Sequence, residues 1–275
     1  MHRIIFSLGP VTVYAYGAML AVAFIAGALL ACRRAHARGI DQNRIVDLVF
    51  VVMISSLVGA RLLFVLLNWQ YYRQAWPDIF KLWEGGLVFY GGLIAAVIAA
   101  RVYLRNKQLP AGKILDIMSP SLGLGIFFGR LGCFLNGCCY GRISSAWGVS
   151  FPATDNPPVF AQQVMDGLIS GSAACSLPVI PTQLYDAGAG LILCLVLLAI
   201  DRKRRFDGFL FGMLVLLYAA ARFITESLRY YEPGAHVAGF TVSQWVSIGL
   251  GVWAGIFLLR GLKRHGDSTV KEHRS

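Results

Sequence analysis

The chain has 275 residues, of which 57% are hydrophobic and only 14% charged, and it carries a net charge of +11. A soluble domain holds about a quarter charged residues, whereas here the apolar residues fall in blocks of the roughly 20 residues needed to cross a bilayer. Composition excludes an ordinary soluble enzyme, and the placement of the basic residues must decide whether the charge reflects nucleic-acid binding or membrane topology.

The opening segment, MHRIIFSLGPVTVYAYG, lacks a basic n-region followed by a small-residue cleavage site, so the first apolar block is expected to remain as a membrane helix. Spans are expected at Val13–Ala31, Ile45–Leu67, Leu87–Leu104, Ile114–Leu135, Gln183–Ile200, Phe209–Leu228 and Val242–Leu259. The fold class that follows is an all-α integral membrane protein, one seven-helix membrane domain over 1–275. Its connections alternate in charge. Arg33, Arg34, Arg38 and Arg44, then Arg105, Lys107 and Lys113, then the run Arg202 to Arg205, and finally the tail 260–275 hold most of the 25 basic residues. The intervening connections hold Arg3, Arg73, Lys81, Arg142 and Arg229. Basic residues are retained on the cytoplasmic side, so the N-terminus is expected outside and the basic tail inside. The charge is thereby explained as topology, and no nucleic-acid partner is expected.

Two outer connections are longer than a turn requires. The loop 68–86 contains WQYYRQAWPDIFKLWEGG, rich in the Trp and Tyr of an interfacial belt. The segment 136–182 has Pro, Gly and Ser throughout, and a connection of that length is expected to form a small outer cap.

Three arginines lie inside apolar spans: Arg61 in SSLVGARLLFVL, Arg130 in LGIFFGRLGCFL and Arg222 in LLYAAARFITESLRYY. A charge at the bilayer centre costs at least about 2.5–3.5 kcal/mol, so each needs a partner or a polar cavity. In the sixth span Arg222, Glu226 and Arg229 share one helical face by their spacing. A structural ion pair with a snorkelling arginine accounts for part of this. Three arginines on separate spans exceed it, and the planar guanidinium suits phosphate. An anionic substrate, a phospholipid head group, is the expected occupant. The stretch GGLVFYGGLIAA opens the third span, where helix N-terminal N–H groups offer an anion site; small residues that let membrane helices approach closely are the other reading.

Cys133, Cys138 and Cys139 stand together in GRLGCFLNGCCYGR, with Cys175 in the cap and Cys32 and Cys194 elsewhere. An oxidising outer compartment would allow a disulfide from Cys138 or Cys139 to Cys175. No metal is expected, because the cap has no histidine and C-x4-C-C is not a usual ligand spacing. A membrane thiol oxidoreductase is a rival, although no C-x-x-C occurs.

These residues carry a resemblance along almost the whole chain. SLGPVTVYAYG, WEGGLVFYGGLI, GRLGCFLNGCCYG, IPTQLYDA and YAAARFITESLR resemble, in this order, the motifs of the prolipoprotein diacylglyceryl transferases. The resemblance implies transfer of the diacylglyceryl group of phosphatidylglycerol to the thiol of a prolipoprotein's lipobox cysteine, with release of glycerol 1-phosphate. It implies no metal or organic cofactor, and a bacterial plasma membrane location with the active site toward the outer leaflet. Arg130 and Arg222 are the implied catalytic residues, and Tyr16, Arg61, Asn136, Gly141, Gln183, Glu226 and Arg229 fall on motif positions. Gly91 and Gly92 belong to the third-span motif and are counted with the substrate-binding residues.

Two positions depart from the family pattern. Tyr90 stands where the family often has histidine, and Cys133 where it often has asparagine. A phenol, with a reference pKa near 10, is a poor base at neutral pH. The nucleophile, however, is the substrate's own thiol, whose pKa neighbouring arginines lower. Tyr90 is expected to donate a hydrogen bond to the phosphate or an ester oxygen. Glu226 is expected to orient Arg222, with proton acceptance as its reserve role. A lipid transporter, and an anionic-lipid-binding paralogue without transferase chemistry, are the alternatives.

Overall fold

The computed structural model describes residues 3–8, 11–81, 85–230 and 236–272. Part of the expected interfacial loop (82–84), the segment 231–235, the last residues of the basic tail (273–275), the tail's side chains from 266 onward and the side chain of His236 lie outside the described residues.

The chain begins with a hairpin of β1 (Ile4–Leu8) and β2 (Val11–Tyr14), antiparallel with Leu8 opposite Val11. Helices follow: α1 (Ala15–His36), α2 (Gln42–Leu67), the single turn α3 (Trp69–Tyr72), α4 (Phe89–Asn106), α5 (Ala111–Asn136), the short α6 (Pro158–Met165), α7 (Thr182–Ile200) and α8 (Phe209–Glu226). A second hairpin, β3 (His236–Val237) and β4 (Phe240–Thr241), leads into α9 (Val242–Glu272). Among the described residues six helices, α1, α2, α5, α7, α8 and α9, are long and apolar enough to cross a membrane. The expected third span is the helix α4, in which Arg101, Arg105 and Asn106 dilute the apolar run. The first span starts later than its apolar run because Val13 and Tyr14 pair in β2. The last runs on as helix into the basic tail.

The chain divides into two compact units, Ala31–Ile114 and a larger one made of Met1–Leu30 with Leu115–Ser275. In the smaller unit α2 starts at the N-cap Asp41, whose carboxylate accepts from the Asn43 N–H at 3.0 Å. Helix α4 lies against α2 where Gly91 meets Gly59, and a Cβ on either would run into the other's backbone. The close approach fits the small-residue packing of membrane helices.

In the larger unit α5 and α7 cross at Gly123 and Gly190. A Cβ on Gly123 would lie 2.9 Å from the Cys194 amide nitrogen, and one on Gly190 would lie 2.8 Å from that of Phe127. Helix α8 is seated by a buried carboxylate from α5. The two oxygens of Asp116 accept from the Gly208 and Phe211 amides at 3.0 and 3.1 Å, satisfying the free N–H groups that open α8. Leu197, Leu210 and Leu214 pack α7 against α8. Residues 137–181 form a folded insertion rather than an open loop. Phe151, Val159 and Val179 are fully or almost fully buried in its own small core, with Phe134 and Tyr140 against them. Gln163 and Ser176 close it by accepting from the Leu177 and Phe151 amides.

Candidate active site

The α5–α7 crossing and the Asp116 cap place the polar positions of α5, α7 and α8 side by side. Arg130 lies in the last two turns of α5, Asp186 in the first turn and a half of α7, and Arg222 and Glu226 in the last turns of α8. One oxygen of Asp186, Oδ2, meets three guanidinium groups: Arg130 Nη1 at 3.2 Å, Arg229 Nη2 at 3.3 Å and Arg222 Nη1 at 3.7 Å. Glu226 pairs tightly with Arg222 Nη2 through its Oε2, which also faces Arg229 Nε at 3.9 Å. Its other oxygen accepts from the Thr241 hydroxyl at 3.2 Å. Three guanidinium groups and two carboxylates leave this cluster one positive charge, held by side chains that are at most 21% exposed. In an environment this dry, charge interactions are far stronger than in water.

Asp186 is the residue that sequence reasoning missed. It sits inside the quoted IPTQLYDA, and a carboxylate in an apolar span was the available signal. Its partners lie on other elements, so nothing in the local spacing joined it to Arg130 or Arg222.

A cavity of about 550 Å³ opens beside the cluster, lined by Glu226, Arg229, Arg142, Tyr230, Thr241 and Gln244 among others. Its size lies within the range of small-ligand sites. Gly141 closes onto the end of this region: its N–H donates to the Ile180 carbonyl at 2.9 Å, and a Cβ there would meet the Leu228 carbonyl oxygen at 2.6 Å. Gln183 is fully buried and donates from Nε2 to the Cys138 carbonyl at 2.8 Å, while Thr182 donates to the Cys139 carbonyl at 2.9 Å. Asn136 accepts from Arg3 Nε at 3.1 Å. Tyr16, in the first turn of α1, rests against Gly132 of α5. Arg130, Arg222, Glu226, Arg229, Gly141 and Gln183 therefore belong to one neighbourhood, with Asn136 and Tyr16 at the end of α5.

The remaining expected residues belong to the smaller unit. Arg61 is buried and donates all five N–H groups to backbone carbonyls, those of Ile79, Gly85, Gly86, Asp78 and Lys81, at 2.6–3.3 Å. Its guanidinium also faces the rings of Phe64 and Tyr72. Its observed work is to organise the loop that leads into α4. Tyr90 is exposed in the first turn of α4, edge-on to Phe89. Gly91 and Gly92 are buried against α2, and their amides both donate to the Val88 carbonyl.

All six cysteines are free thiols, so the expected Cys175 disulfide is not formed. The turn after α5 instead aims Cys138 and Cys139 back at Cys133, with the three sulfurs within 4.8 Å of one another. Hydrogen bonds from Cys133 and Cys138, with Arg130 and Arg229 nearby, hold the Cys139 thiol below the usual thiol range.

A family model described as prolipoprotein diacylglyceryl transferase matches residues 3–260. The chain belongs to the prolipoprotein diacylglyceryl transferase family. Three relatives, each named phosphatidylglycerol–prolipoprotein diacylglyceryl transferase, show how evenly the likeness runs. The Clostridium tetani protein is 31% identical over 259 residues, 94% of this chain and 96% of the relative. That of Pediococcus pentosaceus is 32% identical over 263 residues, 94% of this chain and 90% of the relative. The Xanthomonas oryzae protein is 36% identical over 255 residues, 90% of this chain and 84% of the relative. The match therefore takes in both compact units, and in this member of the transferase family the arginine cluster lies within the matched residues.

Proposed function

We propose that this chain is a phosphatidylglycerol–prolipoprotein diacylglyceryl transferase of the bacterial plasma membrane. The observation that carries the reading is the gathering of Arg130, Arg222 and Arg229 around Asp186 Oδ2, with one positive charge in excess. A phosphodiester head group brings one negative charge and suits a planar two-pronged donor. Arg130 and Arg222 hold the phosphate of phosphatidylglycerol. The thiolate of the lipobox cysteine attacks the diacylglyceryl carbon that bears the phosphate ester. A sulfur–carbon bond forms and the carbon–oxygen bond breaks, leaving its electron pair on the phosphate oxygen of glycerol 1-phosphate. The guanidinium groups stabilise that developing charge, and the thiol proton is lost to a neighbouring base.

Glu226 positions Arg222, and Arg229 with Gln244 and Thr241 borders the cavity that receives the head-group glycerol. Asn136, Gly141, Gln183 and Tyr16 shape the end of α5 around it. Arg61 acts as a positioning residue for the loop before α4. The fuller topology is part of this proposal: seven crossings with α4 as the third, the N-terminus outside, the basic tail in the cytoplasm and the 136–182 insertion as a cap toward the outer leaflet. The charge alternation of the connections supports it.

The test is transfer by the purified protein, supplied with phosphatidylglycerol and a lipobox peptide. The expected result is a peptide mass gain of one diacylglyceryl group with equimolar glycerol phosphate. Arg222→Lys keeps the charge and loses the fork, and is expected to lower the rate about 100-fold, the scale of one lost transition-state donor. Lipid bound without any peptide mass gain would leave a lipid-binding paralogue and sink the transferase reading.

A further inference from the structure

The strongest unassigned cluster is the cysteine trio at the end of α5. We propose that Cys133, Cys138 and Cys139 form a three-thiolate site for a soft closed-shell cation of the Cu(I) or Zn(II) kind.

The spacing C-x4-C-C is unusual for a metal site, and the backbone explains how it works here. Adjacent residues in an extended chain point their side chains to opposite faces. Cys139 instead adopts a left-handed conformation, φ +60°, and follows Gly137 at φ +71°. The Cys138 amide turns back to the Cys133 carbonyl at 3.1 Å. With this turn both neighbouring sulfurs face Cys133, and all three Sγ atoms lie within 4.8 Å of one another. Sulfurs bound to one ion at about 2.3 Å lie roughly 4 Å apart in a trigonal site, so closure needs a shift of under about 1 Å.

Two further features hold the geometry open for a ligand. A non-glycine residue at positive φ is strained and persists only where its surroundings fix it. Here they do: the Cys138 and Cys139 carbonyls accept from Gln183 and Thr182, at the start of α7. The turn that carries the thiols is thus fixed through its backbone carbonyls, while Cys138 Sγ donates to the Cys133 carbonyl at 3.7 Å. Three thiolates around a monovalent or divalent ion also carry net negative charge, and Arg130 and Arg229 lie close enough to act on the Cys139 thiol electrostatically. Thiolate softness selects Cu(I) and Zn(II) over Mg(II) or Ca(II). On binding, the sulfurs that still carry protons exchange them for the metal, so protons are released to solvent and no oxidant or reductant is required.

The test uses the full-length protein in detergent under reducing conditions, with Cd²⁺ as probe. The expected result is one equivalent bound, an ultraviolet thiolate-to-metal band, and protection of these three thiols from alkylation as read by peptide mass. Cys133→Ser, Cys138→Ser and Cys139→Ser are each expected to weaken binding at least tenfold, and Cys175→Ser to leave it unchanged. Alkylation protection is read on the unmutated chain, so it remains decisive should a variant fail to fold. The proposal is overturned by binding that survives Cys133→Ser, by Cd²⁺ uptake without a thiolate band, or by equal alkylation of the trio with and without Cd²⁺. Zn²⁺ and Cu(I) then compete against Cd²⁺; if neither displaces it at equal concentration, the assigned cation class is wrong.

Discussion

Asp186 decides how the arginines are arranged. One carboxylate oxygen within 3.2–3.7 Å of three guanidinium groups gives three cations a common anchor that none of them supplies alone. Its replacement by asparagine keeps the shape and removes the charge. Asp186→Asn is expected to lower stability by about 1.5–3 kcal/mol, the scale of hydrogen bonds to a charged group, read as a fall in melting temperature. Transfer should fall at least tenfold, mainly in kcat, because the arginines no longer share one setting. An unchanged rate would show that they are placed by their helices alone. Glu226→Gln is expected to act more narrowly, since it disturbs Arg222 and the Thr241 hydroxyl while Arg130 keeps its pairing with Asp186. The sequence made Arg130, Arg222, Glu226 and Arg229 conspicuous because charge inside an apolar run is costly. Asp186 stayed hidden because its partners come from α5, α8 and the residues after it, and no local spacing records that. Arg61 shows the opposite limit: an arginine within an apolar span looks the same in sequence whether it faces a ligand or, as here, five backbone carbonyls.

At the scale of elements, the α5–α7 crossing and the Asp116 cap hold the cluster in register. The α5–α7 crossing requires glycine at 123 and 190, where a Cβ would press on facing backbone. Gly123→Val is therefore expected to push α7 away from α5 and to destabilise the protein by about 1–3 kcal/mol, the usual cost of overpacking, visible in thermal unfolding in detergent. The loop before α4 depends on Arg61. Arg61→Ala is expected to make residues 78–81 and 85–86 sensitive to limited proteolysis, while α2 and α4 remain packed through Gly59 and Gly91. Six of the seven expected spans were legible because a run of about 20 apolar residues has few alternatives. Their ends were less so: β2 takes the start of the first span through pairing with β1, which an apolar count does not register. The folded insertion was legible as a long connection, but its core of Phe151, Val159 and Val179 rests on contacts between residues far apart in sequence.

For the molecule as a whole, six helices have the length and apolarity to cross a membrane, and α4 carries arginines that soften its claim. The proposed topology makes α4 the third crossing. Reporters fused after the connection that holds Arg105 and Lys107 and after the tail are then expected to be cytoplasmic, and one within 136–182 to be outside. The same side for all three would overturn the topology. The family match runs across both compact units and so takes in nearly the whole chain. The measurement that bears most directly on the central proposal uses phosphatidylglycerol labelled separately in its diacylglyceryl and head-group glycerols. Incubated with the purified protein and a lipobox peptide, the diacylglyceryl label is predicted to appear on the peptide cysteine through a base-stable thioether, and the head-group label as free glycerol 1-phosphate. Label on the peptide from an acyl chain without its glycerol, or head-group glycerol released without phosphate, would contradict the account.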